Sequence, residues 1–226
     1  MKNMCATLIA GLVLCAGSAA FAQNSTGESK KAQPASEKAT QDKGEKKEKK
    51  AEGLKIGDAA PDFTVTDTDG KTHKLSDLTK QGKIVVLQWF NAECPYVQKH
   101  YGDAGSTFND IVKNYESKGV VLIAINSNAK GKPGSGKETN MKAKDKWNMA
   151  YPIGLDESGE IGMAYGAKNT PAMYIIDKNG TLAYQGAIDD DKGGDKPGKT
   201  NYVTKALHQL LAGETVTTAE TKPYGC

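Results

Sequence analysis

The stretch IVVLQWFNAECPYVQKHY, residues 84–101, decides the fold. Its first residues, Ile84 to Leu87, form an apolar run that is too short for a buried helix and rich in β-branched side chains. Such a run predicts a central strand that is buried on both faces. Cys94 and Pro95 follow the strand, and proline is well suited to the first position of a helix. We therefore expect Cys94 at the start of a helix that leaves the carboxyl end of this strand.

The position of Cys94 favours a reactive thiol. The free N–H groups and the dipole at a helix N-terminus stabilise an anion, so a thiolate is favoured there. Cys94 is accordingly a candidate nucleophile. The alternative is a small apolar cysteine that only fills space in the core.

The first 22 residues have the pattern of a secretory signal peptide. Lys2 supplies a positive charge, Leu8 to Ala16 is an apolar segment short for a bilayer span, and Ala20-Phe21-Ala22 fits a cleavage site. We therefore predict an exported protein, periplasmic or extracellular, with no stable membrane span after cleavage. Cleavage would remove Cys5 and Cys15 and leave Cys94 and Cys226 in an oxidising compartment.

Composition divides the remaining chain into two parts. Residues 23–53 are rich in Lys, Glu, Ala, Ser and Gln and contain no aromatic residue, so we predict a disordered tether. Residues 54–226 are predicted to form the folded domain. In that domain the lysines equal the aspartates plus glutamates in number, which gives no electrostatic reason to expect nucleic acid as a partner.

The order of elements in the domain indicates an α/β fold. The apolar run Val120 to Ile125 predicts a second buried strand, and strand, helix, strand in this order implies a parallel pair. Gly102 and Gly105 should divide the helical segment 95–117 by a kink or into two helices. A later strand follows Thr170-Pro171, and Tyr202 to Leu211 is predicted to be the last helix.

Several motifs in residues 54–226 resemble those of thioredoxin-fold proteins of the peroxiredoxin-like branch, which includes the alkyl hydroperoxide reductase, thiol-specific antioxidant and redoxin proteins. The motifs are GDAAPDF at 57–63, DGK at 69–71, LSDL at 75–78, Cys94-Pro95, Thr170-Pro171 and DKNG at 177–180. The resemblance implies a thioredoxin-like three-layer α/β/α domain with a central mixed sheet. It also implies a cis-proline, Pro171, that faces Cys94, and a substrate-binding role for Pro95, Thr170 and Pro171.

The chain departs from this family pattern at the second cysteine and at the peroxide site. Thioredoxins carry a C-x-x-C pair, but Val97 stands at the second position here. Typical peroxiredoxins use Thr or Ser three residues before the reactive cysteine and an arginine elsewhere, whereas this chain has Asn91 and no arginine. Cys226 is then the natural candidate to resolve an intermediate on Cys94, and we predict a reversible disulfide between the two within one chain.

The function that follows is that of an exported thiol oxidoreductase with antioxidant-type activity. Cys94 would reduce a disulfide-bearing protein or a small hydroperoxide, Cys226 would resolve the intermediate, and an external thiol reductant would regenerate the pair. No cofactor and no metal are expected for this chemistry. The alternative is a thioredoxin-fold binding protein without turnover, either a metal carrier that uses Cys94 and His100 or a structural domain of the cell envelope.

Other polar residues are expected to lie away from the site. We predict that His73, His100 and His208 lie at the surface or at helix ends. The acidic run Asp189 to Asp191, with Asp195, lacks the alternate-residue spacing of a calcium loop and is expected to be a solvated loop.

Overall fold

The computed structural model describes residues 53–102 and 106–226. The predicted signal peptide, residues 23–52 of the predicted tether and the predicted break at Gly105 lie outside the described residues. The boundaries of the signal peptide and of the tether therefore stay predictions. Within the described ranges, no helix has both the length and the apolar character needed to cross a membrane.

The described residues form seven strands and six α-helices. The strands are β1 (Thr64–Thr66), β2 (Thr72–Lys74), β3 (Ile84–Trp89), β4 (Val120–Asn126), β5 (Ile153–Leu155), β6 (Met173–Ile176) and β7 (Leu182–Gly186). The helices are α1 (Leu75–Lys80), α2 (Pro95–Gln98), α3 (Thr107–Tyr115), α4 (Lys137–Lys146), α5 (Glu160–Tyr165) and α6 (Tyr202–Leu211).

A five-stranded mixed sheet forms the middle layer, in the order β5-β4-β3-β6-β7. The central strand β3 runs parallel to β4, with Ile84 opposite Val120, and antiparallel to β6, with Gln88 opposite Met173. The sequence prediction of a parallel β3–β4 pair is confirmed. A separate hairpin, β1–β2, turns at Asp69-Gly70.

Alternate side chains of the central strand enter two different cores. Val86 packs with residues of α3 and α6, which cover one face of the sheet. Val85 and Leu87 point to the other face, where α1, α5 and strand β1 cover them. Because side chains of a strand alternate between faces, one apolar strand supplies both cores. The three-layer α/β/α architecture predicted from the sequence is confirmed.

The segment after Cys94 contains two helices. Helix α2 is a single turn, and α3 begins only at Thr107, so the prediction of two consecutive helices is confirmed. A short 3-10 turn extends α3 to Lys118, and Gly119, with φ of 85°, provides the left-handed residue that ends it.

Segments outside the sheet cover both of its edges. On β7, Gly57 donates a hydrogen bond to the Leu182 carbonyl at 2.9 Å, and Thr221 donates to the Gln185 carbonyl at 3.1 Å. On β5, Thr68 donates to the Ile153 carbonyl at 3.0 Å. The C-terminal tail, residues 214–226, therefore runs beside the edge strand β7 before it reaches Cys226.

Candidate active site

Cys94 lies where the sequence predicted, between the end of β3 and the first turn of α2. Pro95 is the first residue of α2 and is exposed, and the Cys94 carbonyl accepts hydrogen bonds from the N–H groups of Val97 and Gln98, both at 2.9 Å. Only 2% of Cys94 is exposed. Cys94 is therefore almost completely shielded from water in the disulfide-bonded chain.

The adjacent carboxylate points away from the sulfur. Glu93 is exposed, and its Oε1 accepts a hydrogen bond from the N–H of Gly134 at 3.0 Å. The Glu93 charge is thus directed to the loop that follows β4 rather than to Cys94.

Cys94 and Cys226 form a disulfide within one chain. The Sγ atoms are 2.10 Å apart, the Cα atoms are 6.2 Å apart, and 132 residues separate the two cysteines in sequence. The predicted pairing is confirmed as a covalent bond, while the catalytic roles of the two cysteines stay predictions.

The Thr170–Pro171 peptide bond is cis, as predicted. The carbonyl oxygen of Thr170 lies 3.0 Å from Cys94 Sγ. A disulfide sulfur carries no proton, so this is a close contact in the oxidised chain and becomes a possible S–H···O hydrogen bond only after reduction. The register of β6 beside β3 produces this approach, because Trp89 donates to the Ala172 carbonyl at 2.8 Å.

The end of the tail pairs with the residue before the cis-proline. Thr170 donates to the Cys226 carbonyl at 3.1 Å, and Cys226 donates to the Thr170 carbonyl at 3.0 Å. Two reciprocal backbone hydrogen bonds of this kind are those of an antiparallel strand pair. Cys226 therefore occupies the site as one residue of an added strand would.

A buried cluster holds the tail two residues before Cys226. The Tyr224 hydroxyl donates a 2.5 Å hydrogen bond to Oδ1 of Asp189, and Lys99 Nζ lies 4.4 Å from the centre of the Tyr224 ring. Burial, followed by the Asp189 carboxylate, raises the pKa of Tyr224 far above its usual range, so its hydroxyl keeps the proton that it donates.

The prediction of a solvated loop is wrong at Asp189, which is 2% exposed. Its Oδ2 accepts a hydrogen bond from the N–H of Gly198 at 2.6 Å, and its Oδ1 lies 3.7 Å from Lys99 Nζ. The Lys99 ammonium, which is fully buried, also donates to the carbonyl of Asp191 at 2.6 Å. These partners offset the cost of removing the carboxylate from water.

The prediction of a surface position is wrong for His100, which is fully buried. Its Nδ1 lies 3.1 Å from Thr107 Oγ1 and its Nε2 lies 3.4 Å from the Tyr224 hydroxyl. Burial lowers the pKa of His100 to about 4. The Asp189 carboxylate raises this pKa, and the Lys99 ammonium lowers it. His100 is therefore neutral at physiological pH. The prediction is confirmed for His208, which is exposed. His73 is half-buried in β2, and its Nε2 lies 2.7 Å from Asp67 Oδ2.

An open cavity of about 520 Å³ adjoins the cis-proline. Thr170 forms part of its wall together with Trp89 and Phe90 from the end of β3 and with Met163 from α5. Met163 is 71% exposed, so a large apolar side chain at the rim of the cavity is accessible.

A metal-carrier role receives no support from the part of the chain that the structure describes. That part contains no group of three or more His, Cys, Asp or Glu residues that could hold a metal ion. Cys94 is bonded to Cys226, and the His100 ring nitrogens face Thr107 and Tyr224.

Comparison with known proteins identifies the family. The model of the AhpC/TSA family matches residues 56–185. The thiol-disulfide oxidoreductase ResA of Bacillus thuringiensis subsp. konkukian is 31% identical over 136 residues, which are 59% of this chain and 70% of that protein.

Solved structures agree with this relationship. An uncharacterized conserved protein from Geobacillus kaustophilus superposes with a TM-score of 0.69 at 30% identity and covers 77% of this chain and 92% of its own. A putative thiol:disulfide interchange protein DsbE from Chlorobium tepidum gives a TM-score of 0.53 at 26% identity, with 71% of this chain and 98% of that chain covered.

Proposed function

Because the chain belongs to the AhpC/TSA family and is a thiol-dependent oxidoreductase, we propose that it reduces disulfide bonds in polypeptides, with Cys94 as the attacking and Cys226 as the resolving cysteine. One observation carries the proposal. Cys226 is bonded to Cys94 while its backbone pairs with Thr170, so the site accommodates a cysteine within an extended chain. A target cysteine that follows the same path reaches Cys94 with the same backbone hydrogen bonds.

The reaction consists of two thiol–disulfide exchanges. The Cys94 thiolate attacks one sulfur of the target disulfide, the target S–S bond breaks, and the other target sulfur leaves as a thiolate that takes up a proton. The Cys226 thiolate then attacks Cys94 Sγ and releases the second target sulfur. Two electrons pass from the chain to the target, and the chain ends with its Cys94–Cys226 bond.

The residues around the cysteines have separate proposed roles. The Thr170 N–H and carbonyl bind the target backbone, and the cis form of Pro171 keeps the Thr170 carbonyl turned toward Cys94. Pro95 is exposed beside Cys94 and contributes contact surface. The cavity next to Thr170 receives residues that flank the target cysteine.

Tail and target compete for one set of backbone groups. Thr170 has one N–H and one carbonyl directed at the tail, and Cys226 uses both in the oxidised chain. The tail must leave for a target to bind, and its return expels the reduced target. An external thiol reductant then opens the Cys94–Cys226 bond for the next cycle.

A hydroperoxide is the second substrate class to test, because the family includes alkyl hydroperoxide reductases. The chain contains no arginine, so the planar fork of donors that polarises a peroxide in typical members has no counterpart here. This difference favours disulfides over hydroperoxides as the substrate and makes an antioxidant role the weaker part of the proposal.

The test compares both substrates in one set of variants. Insulin-disulfide reduction and hydroperoxide reduction are measured side by side, with a dithiol as reductant, for the wild-type chain, Cys94→Ser and Cys226→Ser. We expect insulin reduction by the wild type, none by Cys94→Ser, and a trapped mixed disulfide on Cys226→Ser. Faster hydroperoxide than insulin reduction would overturn the assignment of substrate, and full activity of Cys94→Ser would overturn the assignment of the nucleophile.

The last part of the proposal is that the protein is exported. Residues 1–22 would direct the chain out of the cytoplasm, and residues 23–53 would tether the domain formed by residues 54–226. N-terminal sequencing of the protein from the periplasm or the medium tests this. A mature chain that begins at Gln23 supports export, and an uncleaved chain in the cytoplasm contradicts it.

A further inference from the structure

Gly225 precedes Cys226, the cysteine that is bonded to Cys94, and its backbone has a conformation that other residues avoid. Its φ is 129°, in the region that L-residues with a side chain rarely adopt. Glycine is therefore strongly preferred at position 225, immediately before the cysteine that is bonded to Cys94.

The surroundings of Gly225 exclude a side chain independently of its backbone angles. A Cβ built on Gly225 would collide with the carbonyl oxygen of Thr170, lie 2.7 Å from the Thr170 carbonyl carbon and 3.1 Å from the nitrogen of Pro171. All three atoms belong to the backbone around the cis bond, so no side-chain rotation can relieve the collision. The same backbone groups of Thr170 hold Cys226 in place.

We propose that this site selects target cysteines that are preceded by glycine, so that its preferred substrates are extended Gly-Cys segments. A target that pairs with Thr170 as Cys226 does places its preceding residue where Gly225 lies, against the Thr170–Pro171 backbone. This inference rests on the proposed function and adds the sequence of the segment that the site accepts.

The preference can be measured from the first thiol–disulfide exchange alone. The Cys94 thiolate bonds to the sulfur of the peptide cysteine, the bond between that sulfur and its leaving group breaks, and the leaving thiolate takes up a proton. With Cys226 replaced by Ser the reaction stops at the mixed disulfide, which contains one peptide per chain.

The first experiment uses peptides of the tail sequence, Lys-Pro-Tyr-Gly-Cys, each with its cysteine joined to glutathione. The matched peptides replace the glycine by alanine or by valine. The full reduced chain with Cys5→Ser, Cys15→Ser and Cys226→Ser, in which Cys94 is the one remaining thiol, is mixed with each peptide. The rate of mixed-disulfide formation is followed by mass spectrometry. Reaction of the same peptides with free dithiothreitol corrects for intrinsic reactivity.

We expect the glycine peptide to react at least about tenfold faster than the alanine peptide, with valine slower still. Equal corrected rates for the three peptides would overturn the preference and leave the proposed function intact. Failure of every peptide, on a chain whose Cys94 still reacts with glutathione disulfide, would instead contradict the proposed function.

A second experiment tests the same contact inside the chain. Gly225→Ala is compared with Gly213→Ala, because Gly213 also has a positive φ, 76°, but no atom within 4 Å of a built Cβ. The measured quantity is the equilibrium between the Cys94–Cys226 bond and glutathione. We expect Gly225→Ala to disfavour the bond at least about tenfold and Gly213→Ala to leave it unchanged. An unchanged equilibrium for Gly225→Ala would overturn the inference.

Discussion

The Tyr224 hydroxyl and the Asp189 carboxylate are joined by a 2.5 Å hydrogen bond that lies two residues from Cys226. Both side chains are buried, Asp189 at 2% and Tyr224 at 8% exposure. A hydrogen bond to a buried charge is stronger than one between neutral groups. The contact therefore fixes the tail close to the Cys94–Cys226 disulfide.

Removal of the Tyr224 hydroxyl should weaken the closure of the disulfide. A charge-assisted hydrogen bond contributes about 1.5–3 kcal/mol, so in Tyr224→Phe we expect the equilibrium constant for the Cys94–Cys226 bond against glutathione to fall at least about tenfold. Tyr96→Phe is the control, because it removes a hydroxyl from the ring whose centre lies 6.1 Å from that of Tyr224. Equal constants for the two variants would show that the hydroxyl does not hold the tail.

Neutralisation of Asp189 should destabilise the whole domain. Asp189→Asn leaves the buried Lys99 ammonium without its nearby carboxylate, and we expect the free energy of unfolding to fall by about 3 kcal/mol. Asp190→Asn is the matched control, because Asp190 is the exposed neighbour. Urea unfolding of both variants measures the difference. If the free energy of unfolding falls by less than about 1 kcal/mol in Asp189→Asn, the carbonyl partners of Lys99 are enough to stabilise its buried ammonium.

Acid should destabilise the folded chain through His100. The unfolded histidine binds a proton near pH 6.5, whereas the pKa of the folded one is about 4, so protonation favours the unfolded state within this interval. The contribution of His100 to stability is complete above pH 6.5 and decreases by about 3 kcal/mol toward pH 4.

The measurement is the slope of the free energy of unfolding between about pH 7 and pH 5. We expect a smaller slope in His100→Gln, even though this variant is less stable overall. His208→Gln, at an exposed position of helix α6, should keep the wild-type slope. A wild-type slope in His100→Gln would contradict a neutral buried imidazole.

The domain should fold without the residues that precede Gly53. A chain that begins at Gly53 keeps Leu54, whose carbonyl accepts a hydrogen bond from Gln185 at 3.1 Å, and we expect its thermal midpoint to lie within about 2 °C of the full chain. A chain that begins at Asp58 loses Leu54 and the Gly57 hydrogen bond to Leu182 and should melt several degrees lower. A large loss in the first chain would show that the tether packs on the domain.

Local patterns were sufficient to predict the centre of the fold. The apolar run of β3 and the proline after Cys94 each have a short-range physical reason, and both predictions were confirmed. The cis form of Pro171 was predicted from the family resemblance, and it was also confirmed. The disulfide was also predictable, because only one other cysteine follows the predicted cleavage site.

The cluster around Asp189 was not predictable in this way. Its contacts join residues 35 and 92 positions apart, between Asp189 and Tyr224 and between Lys99 and Asp191. Three charged residues in succession normally indicate a solvated loop. Only the complete fold brings Tyr224 from the tail and Lys99 from the end of α2 to the first of them. A single signal was available, since Tyr224 is an aromatic residue in an otherwise polar tail close to Cys226.

The covered edges of the sheet limit how the tail can move. Exposed edge strands are templates on which chains associate. Here Gly57 and Thr221 donate hydrogen bonds to the edge strand β7, and Thr68 donates one to the edge strand β5. If the tail hinges after Thr221, at Lys222-Pro223, Cys226 is freed while the Gln185 pairing remains. Movement of residues 222–226 alone would thus uncover Cys94 while the edge of β7 stays covered, so opening of the disulfide would not expose a bare strand to a second copy of the chain.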